Sequence, residues 1–140
     1  MKYYAGIGSR ETPQEFLEFF TKLAKFLFSK GYTLRSGGAY GSDCAFEIAS
    51  KYHPRWNYLS QGAKFLQARN SHQILGWDLN TPSDFVICWT KGGKGQGGTG
   101  QALRLARDYN IPIFDCGKFD SVEECKPELL KFFKEIIIKD

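Results

Sequence analysis

Apolar positions along the chain fall into short β-prone runs that alternate with longer stretches of helical spacing. Lys2-Tyr-Tyr-Ala-Gly-Ile-Gly8 reads as a short strand running into a glycine loop. Thr12-Pro13-Gln14-Glu15 carries the signals of a helix start: Thr as N-cap, Pro at the first helical position, Glu at the third for a capping box. Phe16, Phe19, Phe20, Leu23, Phe26 and Leu27 follow at helical spacing and define one apolar face, and Gly31 closes the helix. Tyr32-Thr-Leu-Arg35 is β-prone, Ala45 to Tyr52 reads as a second helix, and Asn57-Tyr-Leu-Ser60 as a weak strand. Residues 61–75 fit a helix bearing Phe65, Leu66, Ile74 and Leu75. Asp84-Phe-Val-Ile-Cys-Trp89 is a buried strand, Gln101 to Tyr109 a helix, and Ile111-Pro-Ile-Phe114 a strand. Ser121-Val-Glu-Glu124 is a second capping box. It opens a last helix with Leu129, Leu130, Phe133, Ile136 and Ile137 on one side.

This alternation predicts an α/β fold, a Rossmann-like three-layer sandwich with a mainly parallel sheet of about five strands and right-handed crossovers. The 140 residues fit one domain, 1–140. Twelve Phe, seven Tyr and three Trp supply enough burial for a core at this size. No apolar run approaches the ~20 residues that span a bilayer, and no signal-peptide h-region opens the chain. The expectation is a soluble, cytoplasmic protein without a membrane partner.

Glycine changes the picture from fold to function. Eleven of the 15 glycines lie in three clusters: Gly6 and Gly8; Gly37, Gly38 and Gly41; and Gly92, Gly93, Gly95, Gly97, Gly98 and Gly100. Each cluster follows a predicted strand, so all three belong at the carboxyl edge of the sheet, where such folds bind ligands. Charge points the same way. The net charge is +4, but residues 51–107 carry eight basic against two acidic side chains, which suits an anionic ligand or a solvated basic surface. Cys44, Cys88, Cys116 and Cys125 form no Cys-x-x-Cys pair, and His53 and His72 give no ligand spacing. Buried free thiols are expected, with neither a metal site nor a cofactor.

The strongest local signal is Gly97-Gly98-Thr99-Gly100-Gln101 between a strand and a helix. Glycines let backbone amides face a phosphate, the helix N-terminus adds partial positive charge, and the Thr99 hydroxyl adds a donor. There is no Walker A lysine. Gly95-Gln-Gly97-Gly-Thr-Gly100 fits Gly-x-Gly-x-x-Gly by spacing alone, late in the chain. In the second loop, Ser36, Gly37, Gly38 and Tyr40 precede Asp43, which can accept from a ribose or base, or cap the next helix. In the first, Ser9 and Arg10 follow Gly8, and Arg10 can pair with a phosphate or stay solvated. Trp89 can stack on a base or pack in the core, and Arg69, Asn70 and His72 lie within reach of the same edge.

Taken in order, Gly6-Ile-Gly8-Ser9-Arg10, Ser36-Gly-Gly-Ala-Tyr-Gly-Ser-Asp43 and Gly97-Gly-Thr-Gly-Gln-Ala-Leu103 resemble the SLOG superfamily. That group includes the Rossmann-like domain of DprA/Smf and the LOG cytokinin-activating hydrolases. The chain is most similar to small stand-alone DprA-like proteins, many of them phage-encoded, and the likeness runs to about Phe114. It implies a pocket for a nucleotide or nucleotide-derived small molecule. It also implies sequestration of a signalling nucleotide as a phage anti-defence protein, or DprA-like binding of single-stranded DNA at Ser36, Gly37, Ala39, Gly41 and Asp43. A homo-oligomer is expected from the resemblance and from the aromatic-rich helices. LOG enzymes place a catalytic Glu three residues after Thr99, where this chain has Ala102. LOG-like N-glycosidic hydrolysis, the enzymatic alternative, therefore lacks its motif acid, and no catalytic residue is assigned.

Overall fold

The structure is a computed structural model. It describes residues 2–7, 11–35, 56–58, 60, 64, 70–76, 78–95 and 100–137. Its elements are β1 (Lys2–Ile7), α1 (Gln14–Ser29), β2 (Tyr32–Arg35), β3 (Phe85–Cys88), α2 (Gly100–Asp108), β4 (Ile113–Asp115) and α3 (Val122–Ile137), with residues 70–75 also helical. The strands form one four-stranded, all-parallel sheet in the order β2-β1-β3-β4.

Period-two alternation divides the core between the two faces of the sheet. Tyr4, Phe85, Ile87, Trp89 and Phe114 pack with α1 and α3, whereas Ala5, Ile7, Val86 and Cys88 pack with α2, Ile74 and Leu75. Helices thus cover both faces, as in a Rossmann-like sandwich. β1 connects to β2 on one side through α1 on one face. β3 connects to β4 on the other side through α2 on the other face. A shift in opposite directions over opposite faces gives both crossovers the same hand, as twisted parallel sheets require. Phe85, fully buried, is the hub of the aromatic side: its ring meets Tyr4, Tyr32, Phe132 and Phe133 at centroid distances of 5.2–6.0 Å.

Three expectations need correction. The helix start at 12–15 is shifted by one residue. Pro13, extended at φ −61° and ψ 150°, is the N-cap of α1, with no side-chain capping bond. The reason is tertiary: Glu15 accepts at Oε1 from Val122 N (3.0 Å), tying the first turn of α1 to that of α3. The weak strand at 57–60 is not one, because Trp56–Tyr58 form a 3-10 turn. Tyr58 is 88% exposed, so nothing draws the segment into the sheet, and four strands are found among the described residues. The last strand begins at Ile113 and reaches Asp115, because Pro112 has no N–H for the ladder; it only accepts, from Val86 N.

Other local signals hold. Gly31, at φ +88°, ends α1 as a left-handed cap. Ser121 Oγ accepts from Glu124 N (3.2 Å), while the Glu124 carboxylate turns back to Asp120 N. Of the helix expected over 61–75, residues 64 and 70–75 are described as helical, and Ile74 and Leu75 are fully buried. The helix expected at 45–52 lies outside the described residues. Among the described residues no helix is long and apolar enough to cross a membrane.

Candidate functional site

The strand order sets the geometry. β1 and β3 are neighbours whose connections leave in opposite directions, so a crevice opens above their carboxyl ends. Trp89 N donates to Ile7 O (3.3 Å) and carries the pairing up to that crevice. The helical segment 70–75 runs antiparallel to the strands. Gln73 Nε2 donates to Gly6 O (3.3 Å) near the carboxyl edge, and Ile74 O accepts from Ser83 N (2.7 Å), just before β3. Asn70 and Ser71 therefore stand toward the crevice.

Of the sequence-derived site residues, Gly8, Ser9, Arg10, Ser36, Gly37, Gly38, Tyr40, Asp43, Arg69, Gly97, Gly98 and Thr99 lie outside the described residues. Asn70, Trp89, Gly100 and Gln101 are described. The Trp89 indole is 9% exposed and packed in the core on the α1–α3 side, where its parity with Phe85 and Ile87 puts it. Gly100 and Gln101 form the first turn of α2. A Cβ on Gly100 would lie 2.9 Å from Gly95 O, so the loop closes tightly on the helix start. Gln101 is fully buried, and neither end of its amide has a hydrogen-bond partner among the described residues.

What sequence reasoning missed is how the loop after β3 is held. Asp115, buried at the end of β4, accepts at Oδ1 from Thr90 N (3.0 Å) and Gly117 N (2.9 Å), and at Oδ2 from the Thr90 hydroxyl. Thr90 Oγ1 in turn accepts from Gly95 N (2.9 Å), and Thr90 O accepts from Gly93 N (2.9 Å). One carboxylate thus fixes the first half of the glycine loop through three donors, two of them on a residue that is only 1% exposed. Gly92, Gly93 and Gly95 have φ of +65° to +67°, which lets the chain turn within this clamp. The signal available in the sequence was Asp115-Cys-Gly117, an Asx-turn pattern at the end of a strand.

Cations surround the clamped loop. Arg107 and Lys118 line a cavity of about 280 Å³ with Gly93, Leu103, Ile113 and Asp115. A Cβ on Gly95 would stand 3.4 Å from Arg107 Nη2, one on Gly100 3.2 Å from Arg104 Nη1, and one on Gly93 2.3 Å from Lys118 Cγ. Three basic side chains therefore lie against the loop. Burial, and then the neighbouring Arg107 charge, push the Arg104 guanidinium below its ordinary value. Arginine still stays protonated, so both guanidiniums remain charged beside the loop. Beneath the edge, burial and then the charge of Asp115 push the Cys88 thiol up, which keeps it inert.

The larger cavity, about 490 Å³, lies between α1 and α3, away from the glycine loop. Its lining is mostly apolar, so it lacks the convergent donors that an anion needs. Compared with known proteins, the chain matches no family model, no curated protein and no solved structure.

Proposed function

We propose that the protein holds a nucleotide or nucleotide-derived small molecule by its phosphate at the carboxyl edge of the sheet, without cleaving it. The observation that carries this reading is the clamped loop 90–95, with Arg104 and Arg107 of α2 and Lys118 after β4 lying against it. A helix N-terminus offers free N–H groups and partial positive charge, and arginine pairs with phosphate through a planar fork. Gln101 adds an amide without a partner among the described residues, whose desolvation costs about 1–3 kcal/mol until a partner satisfies it. Ala102, fully buried against the sheet, supplies no acid where a LOG-like hydrolase has one. The order of the glycine motifs supports a SLOG-like role, in which a phage protein sequesters a nucleotide signal.

Calorimetry against nucleoside mono-, di- and triphosphates and cyclic dinucleotides tests this reading. At least one should bind, and Arg107→Ala combined with Lys118→Ala should weaken it ~10-fold or more, as loss of charge-assisted phosphate contacts would. Absence of binding across the panel, or unchanged binding by the double variant, overturns it. A second reading rests on the exposed row of Lys91, Lys94, Arg107 and Lys118, which suits the backbone of single-stranded DNA. Oligonucleotide affinity that falls steeply with salt would favour that alternative.

A further inference from the structure

Cys116 and Cys125 form a buried pair of thiols that the glycine-loop site does not use. Cys116 opens the 3-10 turn Cys116–Lys118 after β4, and Cys125 closes the first turn of α3. Both are fully buried in the core on the α1–α3 side of the sheet. Their Sγ atoms stand 3.6 Å apart, in hydrogen-bond contact. A disulfide holds its sulfurs at about 2.0 Å, so the pair has to close by only about 1.5 Å. One thiol sits in a turn and the other at a helix start, where backbone yields more readily than in mid-element.

The two sulfurs differ in reactivity. A hydrogen bond from the Cys116 thiol, acting against burial, holds the Cys125 thiol below its ordinary value. The N-terminus of α3 favours a thiolate there as well. The same bond, and then burial, push the Cys116 thiol up. The pair thus divides into a nucleophile and a resolving thiol, the arrangement that lets oxidation stop at a disulfide.

We propose that Cys116 and Cys125 are a modification site, a dithiol that a hydroperoxide converts reversibly to a disulfide. The Cys125 thiolate attacks one peroxide oxygen and breaks the O–O bond. A sulfenic acid forms on Cys125, and the departing hydroxide takes up the proton that the thiol released. The Cys116 thiol then attacks the Cys125 sulfur, gives up its proton, and displaces the hydroxyl as water. The two sulfurs lose two electrons to the peroxide, so two thiols and hydrogen peroxide give one disulfide and two waters.

The bond braces the clamp on the glycine loop. Cys116 lies between Asp115 and Gly117, whose amide donates to Asp115 Oδ1 (2.9 Å). Linking it to Cys125 ties the end of β4 to the first turn of α3, and each limits the local opening of the other. This chemistry is independent of the proposed ligand.

Tryptic mapping without reductant, on the folded full chain after treatment with hydrogen peroxide, is the test. Peptides 108–118 and 119–131, which carry Cys116 and Cys125, should appear joined, with two fewer alkylatable thiols per chain. Dithiothreitol should separate them. Cys116→Ala should leave a sulfenic acid on Cys125 that dimedone traps, whereas Cys125→Ala should leave Cys116 unmodified at the same peroxide level. Amide exchange at Gly117 and Cys125 should slow about tenfold in the oxidised chain, because the bond closes a short loop. Peptides that stay separate in the wild type overturn the proposal, whether or not either variant folds. So do peptides joined only in urea, a bond made to Cys88 instead, or a Cys116 that oxidises as readily without Cys125. Unchanged exchange at both amides overturns the bracing of the clamp.

Discussion

Replacing Asp115 by Ala should destabilise the whole fold, and the size follows from its three bonds. Hydrogen bonds to a charged acceptor contribute about 1.5–3 kcal/mol each, and a buried donor left without a partner costs about 1–3 kcal/mol. Both Thr90 bonds are buried and the Gly117 bond is partly buried. The expected loss is about 3–5 kcal/mol. Asp115→Asn keeps Oδ1 for the two backbone donors, and its amide can donate to the Thr90 hydroxyl oxygen. It loses only the charge, so about 1–2 kcal/mol is expected. Thermal and urea unfolding followed by circular dichroism measure both, with Tm falling by roughly 10–20 °C for the Ala variant. A cycle with Thr90→Val should show a coupling of about 1–2 kcal/mol, because the two residues share the bonds being cut. Hydrogen exchange at the Thr90, Gly95 and Gly117 amides should accelerate most, since the clamp holds those donors. An Ala variant within ~1 kcal/mol of wild type, or additive Thr90 and Asp115 effects, would refute the clamp.

Two glycine substitutions should separate steric from conformational cost. A Cβ on Gly117 would lie 1.7 Å from Thr90 O, a backbone atom that cannot swing aside, so Gly117→Ala should cost about 3 kcal/mol or more in chemical denaturation. Gly31→Ala meets nothing within 4 Å and bears only the strain of φ +88°, about 1 kcal/mol; equal losses at the two sites would contradict this reasoning. At the turn after residue 76, Asn80 N–H and then the Thr81 hydroxyl hold the Asp78 carboxyl below its ordinary value. A depressed folded pKa stabilises the turn above the unfolded value of about 3.9, and that contribution is lost as pH falls through the lower folded value. Asp78→Asn should therefore flatten the stability profile below about pH 4. A profile as steep as that of wild type would assign the slope to other carboxylates.

The features that were legible in the sequence are those fixed by local pattern. Apolar residues at helical spacing, with Gly31 after α1 and Ser121 before α3, set both long helices to within about two residues, the usual scatter at helix ends. The sequence left Trp89 open between a base and the core; the structure packs it in the core, on the parity it shares with Phe85 and Ile87. The strand-then-glycine order placed the loops at one edge of the sheet, and the β1–β3 switch point lies at that edge. The remainder depends on partners distant in the chain. Glu15 is diverted from its own helix by Val122, which is 107 residues away. Asp115 carried no signal of its role at Thr90, because its carboxylate serves a loop 25 residues earlier. Tyr58 is β-prone, but a strand also needs a sheet edge to pair with, and propensity does not report one.

The first turn of α2 shows how finely the backbone divides roles among neighbours. Gly100 is held against Gly95 O, Gln101 follows with an amide that has no partner among the described residues, and Ala102 faces the sheet among Ala5, Ile7 and Val86. Successive helical residues point about 100° apart, so a carboxylate at 102 would be driven into that apolar contact in this arrangement. Burying it unpaired would cost several kcal/mol or force it to protonate. Restoring a motif acid by Ala102→Glu would thus first require α2 to move. The polar capacity of this turn lies instead in neutral amides beside fixed cations. On the proposed reading, such a set meets a phosphate by charge and hydrogen bonding.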